Sequence, residues 1–161
     1  MRESLIKAQP WLGLISRLVL GGVLFIAGYL KVGTPDKSQM AVRAYEVLPI
    51  SLANLIGLLL PYVEIGIGLL LILGVYTRIS AALGGAIMVV FIVAIAQAWA
   101  RGLTIDCGCF GGGGQVAASE TKYLSEIIRD TGLVLLALYL IRYPNTKFSI
   151  CLLYTSDAAD E

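Results

Sequence analysis

Four runs of apolar residues, each close to twenty long, limit what this chain can fold into. They cover residues 11–30, 52–73, 79–98 and 124–143. A helix needs about 20 residues to cross about 30 Å of hydrocarbon at 1.5 Å per residue. Inside lipid the backbone must satisfy its own hydrogen bonds, and a helix does this within one segment. The expected fold is an all-α integral membrane protein, a four-transmembrane-helix bundle. Composition agrees, because only 14% of residues are charged against about 25% in soluble domains. The first run is expected to stay in the protein, since it is too long for a signal peptide and "YLKVG" offers no small-residue cleavage site. The fourth run carries Arg129 and Asp130 in its first third, yet "GLVLLALYLI" followed by Arg142 and Tyr143 reads as apolar core and interfacial anchor.

The connections differ in kind. "GVYTR" is a tight turn, which makes the second and third runs a helical hairpin. "TPDKSQMAVRAYEVLP" opens with Thr34 as a cap and Pro35 at the first helical position, then closes at Pro49. Ala41, Ala44, Tyr45 and Leu48 fall on one side of it, as expected for a short interfacial helix between spans 1 and 2. The remaining connection holds "DCGCFGGGG". After Phe148 the composition changes abruptly, and the last eleven residues resemble a translated sequencing adapter. Residues 1–150 are therefore read as the membrane domain and 151–161 as a non-native tail, a genuine acidic tail being the alternative. Cys151 is given no role.

A net charge of +1 gives no electrostatic case for nucleic acid. The absence of histidine removes the commonest metal ligand and the commonest general base at neutral pH. Orientation is not settled by charge. With the N-terminus inside, the cytoplasmic segments hold Arg2, Lys7, Arg78, Arg142 and Lys147, and the outer loops hold Lys31, Lys37, Arg43, Arg101 and Lys122. That is a tie under the positive-inside rule. Chemistry favours an oxidising compartment for a redox cysteine pair, since cytosolic thiols are kept reduced. The expected topology is a multi-pass plasma-membrane protein with a cytoplasmic N-terminus and an extracytoplasmic Cys107 loop.

Cys107 and Cys109, one glycine apart, are the leading candidates for chemistry. Residues at i and i+2 can bring their Cα atoms within disulfide range, but the small ring leaves little freedom to relax. Strained, exposed disulfides are the exchangeable ones. A structural disulfide pinning the loop is the blander reading. Metal binding is the weakest, because two thiolates need further ligands that no histidine supplies; no metal is expected.

Arg17 and Glu64 lie within apolar runs, where a charge costs at least about 2.5–3.5 kcal/mol at the bilayer centre. Arg17 shares a face with Gly13, Gly21, Leu24 and Gly28, and Glu64 with Gly57, Leu60, Gly68 and Leu71. Glycine faces mark close helix packing in membranes, so both charges should point inward. Depth suits a pair: Arg17 sits about 9 Å from the start of the first span, Glu64 about 14 Å from the end of the antiparallel second. The expectation is a structural ion pair between them, with proton or ligand handling by Glu64 as the sharper alternative and snorkelling of Arg17 to the interface as the third.

The order "AGYLKVGTPDK", "AYEVLP", "LPYVEIGIGLLLILGVYTR", "ARGLTIDCGCFG" resembles the MauE group of the DoxX-like integral membrane proteins, named for methylamine utilisation. The resemblance runs from about Leu14 to Ile141. Its most specific parts are Lys31 with Pro35, Tyr45 with "LP", Pro61 with Glu64, and "CGCFG"; the extended "GGGG" after Phe110 departs from the pattern. It implies a four-helix membrane protein with a redox-linked role outside the cytoplasm, of the kind associated with maturation of the disulfide-rich small subunit of methylamine dehydrogenase. Carried across, it marks Cys107 and Cys109 first and Glu64 second. The function expected is thiol/disulfide electron transfer, oxidoreductase-like, between an exported thioredoxin-like or disulfide-rich protein and a membrane acceptor such as quinone. The alternative is a non-catalytic membrane partner or small-solute transporter whose disulfide only shapes its loop.

Overall fold

The computed structural model describes residues 2–144 together with Thr146 and Ser149, with side chains from Gln9 onward. The tail at 151–161 and Cys151 lie outside the described residues. Each apolar run forms a helix: α1 (Arg2–Val32), α3 (Ile50–Leu73), α4 (Thr77–Ala100) and α5 (Tyr123–Arg142), with the short α2 (Pro35–Ala44) between the first two. The Gln9–Val32 part of α1, and α3 and α4 entire, are long and apolar enough to cross a membrane. The fourth long helix, α5, carries Glu126, Arg129 and Asp130 in its first half. The protein is an all-α integral membrane protein built on these four helices.

Packing follows the small residues. α1 lies along α3 and α4 along α5. A Cβ on Gly68 would come 2.7 Å from the backbone nitrogen of Phe25, so only glycine lets α1 and α3 approach this closely. Leu20, Leu24, Leu71, Met88, Leu133, Ala137 and Leu140 fill the space between the helices. Their outward faces keep Leu, Val and Ile exposed along α1, α3 and α4, as a lipid-facing surface requires. The α3–α4 turn is made by Gly74 and Tyr76, both at positive φ (72° and 46°).

Three details of the connections differ from expectation. Pro35 does open α2, but Thr34 makes no side-chain cap; its hydroxyl turns back toward Leu30 O at 3.5 Å. α2 ends at Ala44, so Leu48 lies beyond it and is exposed. The face it buries, Ser38 and Ala41, docks on protein: Ser38 Oγ donates to Gly57 O at 2.6 Å. The third difference concerns Lys31. It is not a loop residue but part of the last turn of α1, and it is buried.

Candidate functional site

The cysteine segment closes one end of the bundle. Ile105–Asp106 (β1) pairs antiparallel with Gly114–Gln115 (β2), in the register Ile105↔Gln115 and Asp106↔Gly114. Residues 107–113 form the loop of this small hairpin. Gly108 and Gly113 hold φ of 70° and 142°, and a Cβ on either would approach Ala41 Cβ to 2.5 Å. The glycine-rich run thus lets the hairpin lie flat on α2, which no larger residue permits.

Two tyrosines fix the hairpin to the helices. Tyr45, just after α2, donates its hydroxyl to Cys107 O at 3.1 Å, while its own carbonyl accepts from Gln97 Nε2 at 3.1 Å. Tyr123, at the start of α5, accepts from Ile105 N at 2.9 Å and donates to Leu103 O at 2.5 Å. Arg101 adds an exposed ion pair to Glu46 at 3.1 Å, of little energetic weight in contact with water. Burial and the nearby cysteine charges push the Tyr45 hydroxyl well above the usual phenol range, so it stays a donor.

Cys107 and Cys109 are not joined by a disulfide; Cys107 Sγ donates to Cys109 Sγ at 2.9 Å. Both are nearly covered, at 8% and 6% exposure. Their surroundings differ. Asp106 and Glu126 approach Cys107 until all three ligand-type atoms lie within 4.8 Å of one another. Two hard carboxylates and one sulfur make a mixed donor set for a cation, and they serve equally as proton acceptors for a thiol. Cys109 instead has the cations Arg129 and Lys31 near it together with the Asp130 carboxylate, and burial and Asp130 oppose its ionisation. The hydrogen bond from Cys107 pulls the Cys109 thiol down, with those cations adding to the effect. That same bond, with burial and the Glu126 side chain, pushes Cys107 up. Cys109 is therefore the more readily ionised sulfur of the pair and Cys107 the less readily ionised.

Beneath Cys109 lies the polar interior of the bundle. Lys31 Nζ donates to both oxygens of Glu64, at 2.7 and 2.8 Å, with the two residues 3% and 0% exposed. Arg129 holds Asp130 Oδ1 through Nε at 2.8 Å and Nη2 at 2.7 Å, and its guanidinium stacks 5.0 Å from the Phe110 ring centre. Glu64, Met88, Phe91, Cys109, Arg129 and Asp130 together line a cavity of about 10 Å³.

The expected Arg17–Glu64 ion pair is corrected here. Both side chains are buried, but Arg17 Nη1 donates to Thr146 Oγ1 at 2.8 Å, beside Gly74. Gly74 is ten residues after Glu64 along α3, about 15 Å at helical rise. Glu64 takes Lys31 because the apolar run stops at Leu30 while the helix does not, and a lysine in that last turn reaches back into the bundle. Sequence reasoning also passed over Arg129 and Asp130 as blemishes in a span. The signal was present: Asp130 follows Tyr123 by seven residues and precedes Ala137 by seven, which places it on the buried face of α5.

Chain order and site can be compared with known proteins. The family model described as methylamine utilisation protein MauE matches residues 9–143, which takes in every group named above except Thr146. The methylamine utilization protein MauE of Methylorubrum extorquens is 38% identical over 107 residues, 66% of this chain and 58% of the relative. That of Methylophilus methylotrophus is 32% identical over 108 residues, 66% of this chain and 56% of its own. The Paracoccus denitrificans protein is 34% identical over 122 residues, 74% and 65% respectively. The chain thus spans less than two thirds of the length of these curated relatives. No solved structure matches. With the family model covering both the helical frame and the cysteine hairpin, the chain belongs to the MauE family.

Proposed function

We propose that this membrane protein exchanges disulfides with an exported protein at the Cys107–Cys109 pair, in the maturation of a disulfide-rich or thioredoxin-like partner. The observation that carries this reading is the polarity of the pair. Of two sulfurs 2.9 Å apart, Cys107 has the carboxylates Asp106 and Glu126 beside it, whereas Cys109 receives the Cys107 hydrogen bond and has the cations Arg129 and Lys31 near it along with Asp130. The thiolate is the nucleophile in exchange, and nearby cations and a donated hydrogen bond generate it. Cys109 attacks the substrate disulfide, one substrate thiolate leaves, and Cys107 resolves the mixed disulfide. The pair ends as a disulfide and the substrate as a dithiol; the reverse sequence makes a substrate disulfide.

The reading places the cysteine end outside the cytoplasm and the α3–α4 turn inside. Withdrawal of Lys31 into the bundle supports this, because it leaves Lys37, Arg43, Arg101 and Lys122 at the cysteine end. Arg2, Lys7, Arg78, Arg142 and Lys147 lie toward the other end by sequence, which tips the balance toward a cytoplasmic N-terminus. The relatives' names connect them with methylamine utilisation, and an exported protein of such a system is one substrate of this reading. A quinone as the final electron acceptor would have to be met on the outer surface of the bundle. The cavity under Cys109, about 10 Å³, suits a water molecule rather than a quinone ring.

A redox titration of the full chain, read by mass tagging of Cys107 and Cys109, tests the chemistry. An exchanging pair titrates well above about −300 mV, whereas a potential below that marks a structural bond and defeats the proposal. Labelling with a membrane-impermeant thiol reagent tests the side. Modification on intact cells is expected, and labelling only after the membrane is broken would place the pair in the cytoplasm.

A further inference from the structure

Closing the pair to a disulfide requires that both thiols give up protons, and both sulfurs are nearly covered. Cys107 has Asp106 and Glu126 beside it. Cys109 lines instead a small, mostly apolar cavity in the bundle, to which Glu64, Arg129 and Asp130 also belong. Both oxygens of Glu64 are occupied by Lys31. Asp130 is different. Its Oδ1 accepts from Arg129, but its Oδ2 is fully buried and has no partner among the described residues.

An unpartnered buried carboxylate oxygen costs stability unless water or a proton satisfies it. A cavity of about 10 Å³ is at the lower limit for holding one water, which also needs two or more polar partners. Asp130 and Cys109 both line it, as does Glu64, in an otherwise mostly apolar wall. We propose that Asp130 is the base that takes the Cys109 proton, through a water held in this cavity, and so generates the attacking thiolate. The inference rests on the exchange reading above and deepens it.

The step balances. The Cys109 S–H bond breaks, the water passes a proton on, and an O–H bond forms at Asp130 Oδ2; no electrons move. Cys109 then attacks the substrate disulfide, and the proton returns to a departing substrate thiolate when the pair has closed. The charged groups around Asp130 suit this transfer. α5 contributes Arg129 and Glu126, α1 contributes Lys31, α3 contributes Glu64, and α4 brings only Met88 and Phe91. Arg129 binds the carboxylate before the transfer and faces the Cys109 thiolate after it.

The test uses the full chain in detergent, cycled between dithiol and disulfide with glutathione disulfide and glutathione. Asp130→Asn should slow exchange about 10²-fold at neutral pH, the share typical of a general base. The deficit should shrink as pH rises and hydroxide replaces the carboxylate. The transferred proton rests on Asp130 in the dithiol form, so redox-difference infrared spectra should show a protonated-carboxyl band that is lost as the pair closes, shifts on carbon-13 labelling of aspartate carboxyls, and is absent from Asp130→Asn. If Asp130→Asn does not fold, the labelled band should survive in Asp106→Asn, and its loss there would overturn the assignment. Exchange by Asp130→Asn at the wild-type rate or faster, or a band that disappears in Glu64→Gln instead, would also overturn it. A wild-type pair that never cycles would remove the exchange reading itself. Normal cycling with an unaffected Asp130→Asn removes only the relay.

Discussion

Glu64 tests the internal architecture most sharply, because two candidate partners for it make opposite predictions. Lys31 donates to both of its oxygens at 2.7 and 2.8 Å, with neither residue more than 3% exposed. Removing one member of such a pair strands a charge in low dielectric, which costs about 3–5 kcal/mol in buried sites. Replacing both by apolar groups of similar volume is close to neutral. Lys31→Met and Glu64→Leu should each lower the thermal midpoint of the detergent-solubilised protein, and the double variant should recover most of the loss. The singles need not match. The Glu64 carboxylate left by Lys31→Met can take up a proton, whereas the Lys31 ammonium left by Glu64→Leu keeps its charge, with the Phe91 ring 5.4 Å from its nitrogen and Cys109 and Asp130 in its field. A parallel cycle with Arg17→Leu and Glu64→Leu should be additive, since the sites lie about 15 Å apart along α3 and additivity holds beyond about 7–10 Å. The assay is the monodisperse fraction after heating, by size-exclusion chromatography. Additive losses for Lys31 and Glu64, or strong coupling of Arg17 to Glu64, would refute this account of the interior.

Gly108→Ala forces a side chain into positive φ and against Ala41, at a cost of about 1–3 kcal/mol; proteolysis of residues 101–122 should accelerate, and an unchanged rate would show that the hairpin does not need this fit. Tyr45→Phe removes the donor to Cys107 O, a loss of about 1 kcal/mol, which should raise the alkylation rate at Cys107; protection equal to wild type would mean that Tyr45 does not hold the loop. The folded Cys109 thiol lies below its ordinary range and Cys107 above. Its thiolate should therefore persist as pH falls below the ordinary thiol range and fade only through the lowered folded value. Iodoacetamide near neutral pH should modify Cys109 first, and prior modification of Cys107 would reverse the assignment of attacking and resolving sulfurs.

The order of elements was legible in the sequence because lipid imposes a local rule: about 20 apolar residues must become a helix wherever they occur. The "GVYTR" turn, Pro35 at the head of α2 and the cysteine loop followed from equally local signals. The inward direction of Arg17 and Glu64 was legible too, since a glycine face needs only helical periodicity. Their partners were not. Periodicity fixes which way a side chain points around its helix, but not the depth or tilt at which two helices cross. A hydropathy boundary at Leu30 also hid that Lys31 still belongs to α1. Only the packing of α1 on α3 gave Glu64 its lysine and sent Arg17 to Thr146 at the opposite end. The same holds for Asp130: in the sequence it interrupts a span, and only the folding of the hairpin over α5 sets it beneath Cys109. Hydrophobic length is a property of one segment, whereas a charged partner is chosen by distances between segments that are far apart in the chain.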